Sequence, residues 1–336
     1  MRRSTAVFVA LAVLAAGCSS NPLTAPPPTI TPAAPAVSPP PSTRPAGELL
    51  PLAGRPAAAI FDQHTGTLAV FSPGADPQSA ATLTLFSVSG STRELTLPGP
   101  ATAIAGDGNG AAYLSTRGGY FTVDLAAGTA APVSINDETG TDFTAIARRA
   151  DGRLVLGSAD GTAYTLGSET AVAEKVKIFA RVDAIAADGN NAVVLDRGQT
   201  SVTSLNSDGR TQQALRAGEG ATNLVADPLG RVLVTDTRGG QLLVFGVDPL
   251  IERQAYPVPQ APYGLAGSKD LAWVSQTATN TVVGYDLSTG IPVEKVRYPT
   301  VQQPNSLAFD DTSGTLYVVS AAGGGVQVIR NAAGAR

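Results

Sequence analysis

Catalytic and metal sites are built mostly from histidine, cysteine and converging carboxylates, and this 336-residue chain is sparing with the first two. It has one histidine, His64, and one cysteine, Cys18. A lone His does not assemble the three or four nitrogen and sulfur ligands that zinc takes. With no second Cys there is neither an internal disulfide nor a cysteine-rich metal site. A Ser–His–acid triad would need His64 beside an activated Ser, and no Gly-x-Ser-x-Gly elbow is present. His64 therefore reads as an exposed residue of the Asp62–Gly66 turn. The carboxylates gather in turns such as Asp107-Gly108-Asn109-Gly110 and Asp188-Gly189-Asn190. Asp and Asn oxygens suit a hard cation, but the turns recur at one place in the pattern, and turn chemistry accounts for them without an ion. The sequence thus predicts no catalytic residue, no metal and no cofactor.

A different chemistry is offered by arginines next to Gly-rich turns. Arg117 (STRGG), Asp196 with Arg197 (LDRG), and Asp236 with Arg238 (TDTRGG) occupy equivalent places in a repeating pattern. Guanidinium groups gathered on one rim would favour an anionic or hydroxylated ligand, or a partner's loop. The net charge of −4 argues against nucleic acid, which wants a basic face to replace condensed counterions, and against a polybasic membrane patch.

The elements that would position these groups come from the repeats. From residue 55 onward a short phrase recurs: a polar or Pro position, small residues, then Ile or Leu. Its aliphatic anchors are Ile60, Ile104, Ile146, Ile185, Leu224, Leu265 and Leu307, spaced by 44, 42, 39, 39, 41 and 42 residues. Each anchor is followed by an Asp- or Gly-containing turn, an aliphatic run such as Val232-Leu233-Val234, a Gly-rich turn, an alternating run, and a polar run such as Arg93–Leu97. β-Branched runs of this length between Gly, Asp and Asn turns are strand signals, and a period near 40 with four strands marks a propeller blade. The expected fold is all-β, a seven-bladed β-propeller of four-stranded blades. The residues two before each anchor, Ala58, Thr102, Thr144, Asp183, Thr222, Tyr263 and Asn305, are then expected to ring the mouth of the channel. The seventh repeat supplies only three strands, and residues 48–53 are expected to complete it by lying antiparallel beside 325–330.

Two stretches carry a resemblance to known families. Val232–Phe245 (VLVTDTRGGQLLVF) resembles a blade of the NHL-repeat propellers, and Trp273–Gly290 (WVSQTATNTVVGYDLSTG) is similar to a blade of the YVTN family. The seventh repeat, Pro304–Ile329, matches the latter in its opening Pro phrase and its Leu-Tyr-Val-Val run. The likeness covers residues 48–330 and implies architecture, because such propellers serve many roles.

The N-terminus implies an address. Arg2 and Arg3 precede the apolar run 6–16, which is too short to span a bilayer and has the length of a signal-peptide core. It ends in Leu14-Ala15-Ala16-Gly17-Cys18, which resembles the bacterial lipobox, with the usual Leu one place early. That resemblance implies a diacylglyceryl thioether on Cys18 and residence on the outer face of the cell membrane. The abundance of Ala, Gly, Pro and Arg, with only four Lys, points to a GC-rich bacterial genome of the actinobacterial type. Ten prolines follow between residues 19 and 46, with no apolar periodicity, so this stretch is expected to be a disordered, extended stalk. The expected organisation is a signal peptide over 1–17, the lipidated Cys and linker over 18–46, the propeller over 47–330 and a polar tail over 331–336.

Two function classes remain. One is a non-enzymatic binding or scaffold module for an envelope protein or small ligand. The other is a propeller-type hydrolase or lactonase acting on an envelope metabolite or glycan; the scarcity of His, and the absence of Glu before the strand anchors, weigh against it.

Overall fold

The computed structural model describes residues 27–334; the signal-like segment and Cys18 lie outside that range. Twenty-eight strands form seven four-stranded antiparallel sheets, and no helix occurs among the described residues. The first six blades are consecutive in the chain, starting with the strands Ala58–Asp62, Ala103–Gly106, Phe143–Arg148, Ala184–Asp188, Ala221–Asp227 and Pro262–Gly267. Blade seven combines Pro304–Asp310, Thr315–Ser320 and Val326–Ile329 with Glu48–Leu50 from the other end of the chain. The antiparallel pairings Glu48 with Val328, Leu49 with Gln327 and Leu50 with Val326 close the ring over the first three residues of the expected 48–53. An outer edge on blade seven would otherwise offer unpaired backbone groups to another chain.

The blades form a ring because the middle strands are apolar on both faces. Successive side chains of a strand point to opposite faces. In blade five, Val232 and Val234 pack towards blade four, whereas Leu233 packs towards blade six. The core is accordingly divided into seven clusters among the described residues, each lying between two neighbouring blades. The cluster across the closure joins Leu68 and Val70 of blade one to Tyr317, Val319 and Val328 of blade seven. Fourth strands such as Thr92–Thr96 face solvent and are correspondingly polar.

The C-terminal residues pack more closely than a polar tail would. Ala332 is fully buried, its amide donates to the Gly314 carbonyl, and its own carbonyl accepts from the Tyr298 hydroxyl.

The chain order gives the ring two unlike faces. Turns between first and second strands, and between third and fourth, lie on one face. Turns between second and third strands, together with the blade-to-blade crossings, lie on the other. The first face is repetitive: Asp107, Asp151, Asp227 and Asp310 each turn a side-chain oxygen onto amides two to four residues ahead. These are Asx turns. The second face carries loops that differ from blade to blade, and it is referred to below as the loop face.

Candidate functional site

All seven repeat anchors, from Ile60 to Leu307, line a central cavity of about 310 Å³. The channel is therefore walled by aliphatic side chains, and polar character enters only at its mouth. Ala58, Thr102, Asp183 and Asn305 line the cavity, but Thr144, Thr222 and Tyr263 do not; Ala145 and Asn223 stand there for blades three and five. A bulge opens the innermost strand in blades three, five, six and seven; in the first three it accompanies the displacement, whereas Asn305 of blade seven keeps its place at the mouth. A bulge adds one residue to a strand and re-aims the side chains beside it.

Threonines at these positions tie blades together. Thr144 Oγ1 donates to the Val182 carbonyl at 2.5 Å, bridging blades three and four. Thr102 Oγ1 does the same for blades two and three through Phe143. Thr222 is buried against Thr235 and Thr237, and the latter donates to the Pro262 carbonyl of the next crossing at 2.6 Å. The Tyr263 carbonyl accepts from Asn223 and Thr235.

Asp183 is the carboxylate of the channel mouth. Burial pushes its carboxyl above the usual range, against the Arg197 amide and the charges of Arg181 and Arg197, which pull it down. Arg197 N–H donates to Asp183 Oδ2 at 2.8 Å, and Arg181 Nε lies 3.2 Å from Oδ1.

Of the residues expected to form a binding rim, Asp196 and Asp236 prove to be internal braces. Both are fully buried. Asp196 accepts from the amides of Ala180, Arg181 and Gln199; Asp236 accepts from those of Glu219, Gly220 and Gly239. Each carboxylate thus ties its own hairpin to the preceding crossing, and neither is free for a ligand. In blade six Gln276 fills the same post, donating to the Pro259 carbonyl.

The three arginines separate into one and two. Arg117 is two-thirds exposed and pairs with Asp142 at 3.3 Å. Arg197 and Arg238 converge on something the sequence did not place there, the proline-rich segment. Residues 27–46 contain no strand or helix, in keeping with their composition, but from Ile30 onward they do not stand off the body as a stalk. They run along the loop face over blades four to seven. Arg238 Nη2 donates to the Thr31 carbonyl at 2.6 Å, Arg197 Nη2 donates to the Ala33 carbonyl, and the Ile30 amide donates to Gly198. Further along, Gln303 brackets the backbone: Nε2 donates to the Ala36 carbonyl at 2.9 Å, and Oε1 accepts the Ser38 amide at 3.0 Å. Gln302 Nε2 donates to the Ser38 carbonyl, and Asn280 Nδ2 donates to that of Pro39. Ala33 and Ser38 are buried, and the Ser38 hydroxyl donates to the Thr277 carbonyl at 2.5 Å.

The expectation of an undocked spacer failed here for a physical reason. Lack of apolar periodicity shows that a segment has no core of its own. It does not show whether side-chain donors elsewhere will take its carbonyls. Proline removes N–H groups that would need acceptors and leaves carbonyls outward, and polyproline II geometry is largely preformed, so docking orders little. Gln302, Gln303 and Asn280 were missed for a related reason. The one local signal was a Gln-Gln pair before Pro304, and it acquires meaning only when residue 38 is beside it.

His64 is exposed in its turn, at one side of a cleft of about 1050 Å³ between blades one and two. The Arg93 guanidinium in that cleft is taken up by the carbonyls of Leu125, Ala126 and Ala127. Among the described residues no group of three or more His, Cys, Asp or Glu is placed to hold a metal.

No protein-family model and no curated protein matches this chain. Solved structures do. Virginiamycin B lyase from Staphylococcus aureus superposes with a TM-score of 0.67 over 84% of this chain and 99% of its own, at 11% identity. Hydrazine synthase of Kuenenia stuttgartiensis gives 0.66 over 87% and 99%, at 13% identity. A chain of a mitotic checkpoint complex gives 0.67 over 98% and 99%, at 10% identity. At such identities the likeness is one of fold, and proteins of unlike function share it. The chain is a seven-bladed β-propeller.

Proposed function

We propose that this protein is an exported bacterial lipoprotein, anchored through diacylglycerol on Cys18, whose YVTN/NHL-like propeller is a non-enzymatic binding module for an envelope partner. The loop face is its recognition surface. One observation carries the reading: the loop face already holds an extended polypeptide through side-chain donors, whereas the opposite face spends its carboxylates on its own turns. Variable loops on a rigid ring are where such scaffolds place recognition. Two chains on a diacylglycerol supply the two-signal anchoring that stable membrane residence needs.

Labelling with a palmitate analogue, followed by membrane fractionation, tests the anchor. Wild type is expected in the membrane fraction carrying label, and Cys18→Ala is expected unlabelled and released. Retention of Cys18→Ala in the membrane would overturn the anchor. The surface is tested by partner recovery from envelope extracts: replacing Arg117, Arg197 and Arg238 by Ala should abolish it, and replacing Asp107, Asp151 and Asp188 should not.

The hydrolase reading keeps one supporting feature, the raised carboxyl of Asp183 at the channel mouth, since a shifted acid in a cavity is a candidate acid–base group. Its neighbours Arg181 and Arg197 give it a structural use as well. Turnover of an envelope ester by wild type, lost in Asp183→Asn, would favour that reading over the binding one.

A further inference from the structure

We infer that the loop face over blades four to seven is a groove for extended, proline-rich polypeptide, and that residues 30–39 are its resting occupant, displaced by a partner segment of the same chemistry. The inference rests on the loop face being the recognition surface and adds what that surface recognises.

The contacts are those of a site that reads backbone. Five side chains of the ring, Arg197, Arg238, Asn280, Gln302 and Gln303, donate to the carbonyls of Ala33, Thr31, Pro39, Ser38 and Ala36. The ring asks for few N–H groups in return: the amides of Ile30 and Ser38 go to Gly198 and Gln303. A ligand rich in carbonyls and poor in N–H groups is what proline-rich polypeptide supplies, and such segments bind with little ordering cost.

Two places in the groove also select side chains. Ala33 is buried where Gly220 leaves room; a Cβ on Gly220 would come within 3.0 Å of the Ala33 Cβ. Ser38 is buried with its amide, carbonyl and hydroxyl all bonded to the ring. Between and around them, Thr31, Pro32, Ala34, Val37 and Pro39 are exposed. The recognised pattern is therefore a small residue, four residues of extended chain containing proline, then Ser-Pro. Nothing in it demands that the segment belong to the same chain, and the tie to the ring at Glu48–Leu50 would persist after the segment lifted away. Covalent attachment gives the resting occupant a high effective concentration, so a partner must offer a higher local concentration or a better fit.

The test uses the full-length protein and a full-length variant, Ala33→Glu with Ser38→Glu, which changes only the segment. Hydrogen exchange should show the Ile30 and Ser38 amides protected in wild type and unprotected in the variant. A fluorescent peptide spanning residues 28–41 should bind the variant saturably and wild type at least tenfold more weakly, as read by anisotropy. A scrambled peptide of the same composition should bind neither. If the variant does not fold, excess unlabelled peptide added to wild type should strip protection from Ile30 and Ser38 while leaving Leu49 protected. The inference is overturned if those amides are unprotected in wild type, if the peptide binds both proteins equally or neither, or if the scrambled peptide competes. Protection that persists only in a dimer, by light scattering, would assign the groove to a second copy and overturn the resting arrangement. These readouts need no membrane and no partner, so they are independent of the tests of anchor and envelope binding.

Discussion

Arg238 and Thr31 are 207 residues apart in the chain, and the guanidinium of the first donates to the carbonyl of the second at 2.6 Å. That contact turns a rim arginine into part of a docking surface, and it fixes how the ring can sit relative to anything attached to the N-terminus. Between Cys18 and Ile30 lie only twelve residue steps, at most about 40 Å of extended chain. If Cys18 carries the proposed lipid, the loop face looks towards the membrane. Dyes on Thr279→Cys and Thr289→Cys, which mark the loop face and the opposite face of blade six, should differ in energy transfer to a bilayer acceptor, with the loop-face dye the stronger. Equal transfer would refute this orientation.

Ring closure depends on Gly47. Its φ is +74°, and a Cβ there would lie 2.1 Å from the Val328 carbonyl oxygen. Gly47→Ala is expected to destabilise by about 2 kcal/mol or more, from the left-handed backbone and the clash together, and to lower Tm by several degrees. Gly90→Ala is the comparison. It also has positive φ but nothing within 4 Å, so it should cost less.

The buried carboxylates and the exposed arginine of the predicted rim should behave oppositely. Asp236→Ala leaves three amides without their acceptor, and removing a buried partner costs about 1–3 kcal/mol for each group left unsatisfied. A loss of at least about 3 kcal/mol in denaturant unfolding is expected, with Asp236→Asn milder. Arg117→Ala removes only an exposed pair, worth about 0–1 kcal/mol, and should be close to silent. A silent Asp236→Ala would show that the loops do not depend on this carboxylate.

Acid should weaken blade three at Asp160. Burial raises its carboxyl, but hydrogen bonds from Lys177 at 2.7 Å, from Ser158 at 2.5 Å and from Thr162 outweigh it and bring it down to about 2. The folded state thus favours the carboxylate, so its contribution is complete above the ordinary value of 3.8 and lost as pH falls towards 2. The Tm of wild type should exceed that of Asp160→Asn at neutral pH, and the difference should close between about pH 4 and pH 2. The effect is small, because the pair is more than half exposed and screened by solvent. A difference independent of pH would remove the ionic contribution.

The proportion of this protein that was legible in its sequence follows from how local each feature is. The seven anchors, the strand runs and the Asp turns are set by neighbours a few residues away, so periodicity located the blades and the channel wall, Ile60 to Leu307, without coordinates. Even the closure was legible, because Glu48–Gly54 repeats the form of Arg93–Gly99 and the seventh repeat lacked a strand. Three things were settled only in three dimensions. Which residue of each crossing faces the channel changes in blades three, five and six, where the innermost strand is bulged, and a one-residue insertion leaves no mark in a pattern of small and polar residues. Burial decides that Asp196 and Asp236 are braces, since a carboxylate in a turn looks the same in sequence whether it faces amides or solvent. The docking of residues 30–39 joins groups up to 267 residues apart. Its energy lies in carbonyls, which every residue has, and no choice of side chain in the segment announces which donors they will meet.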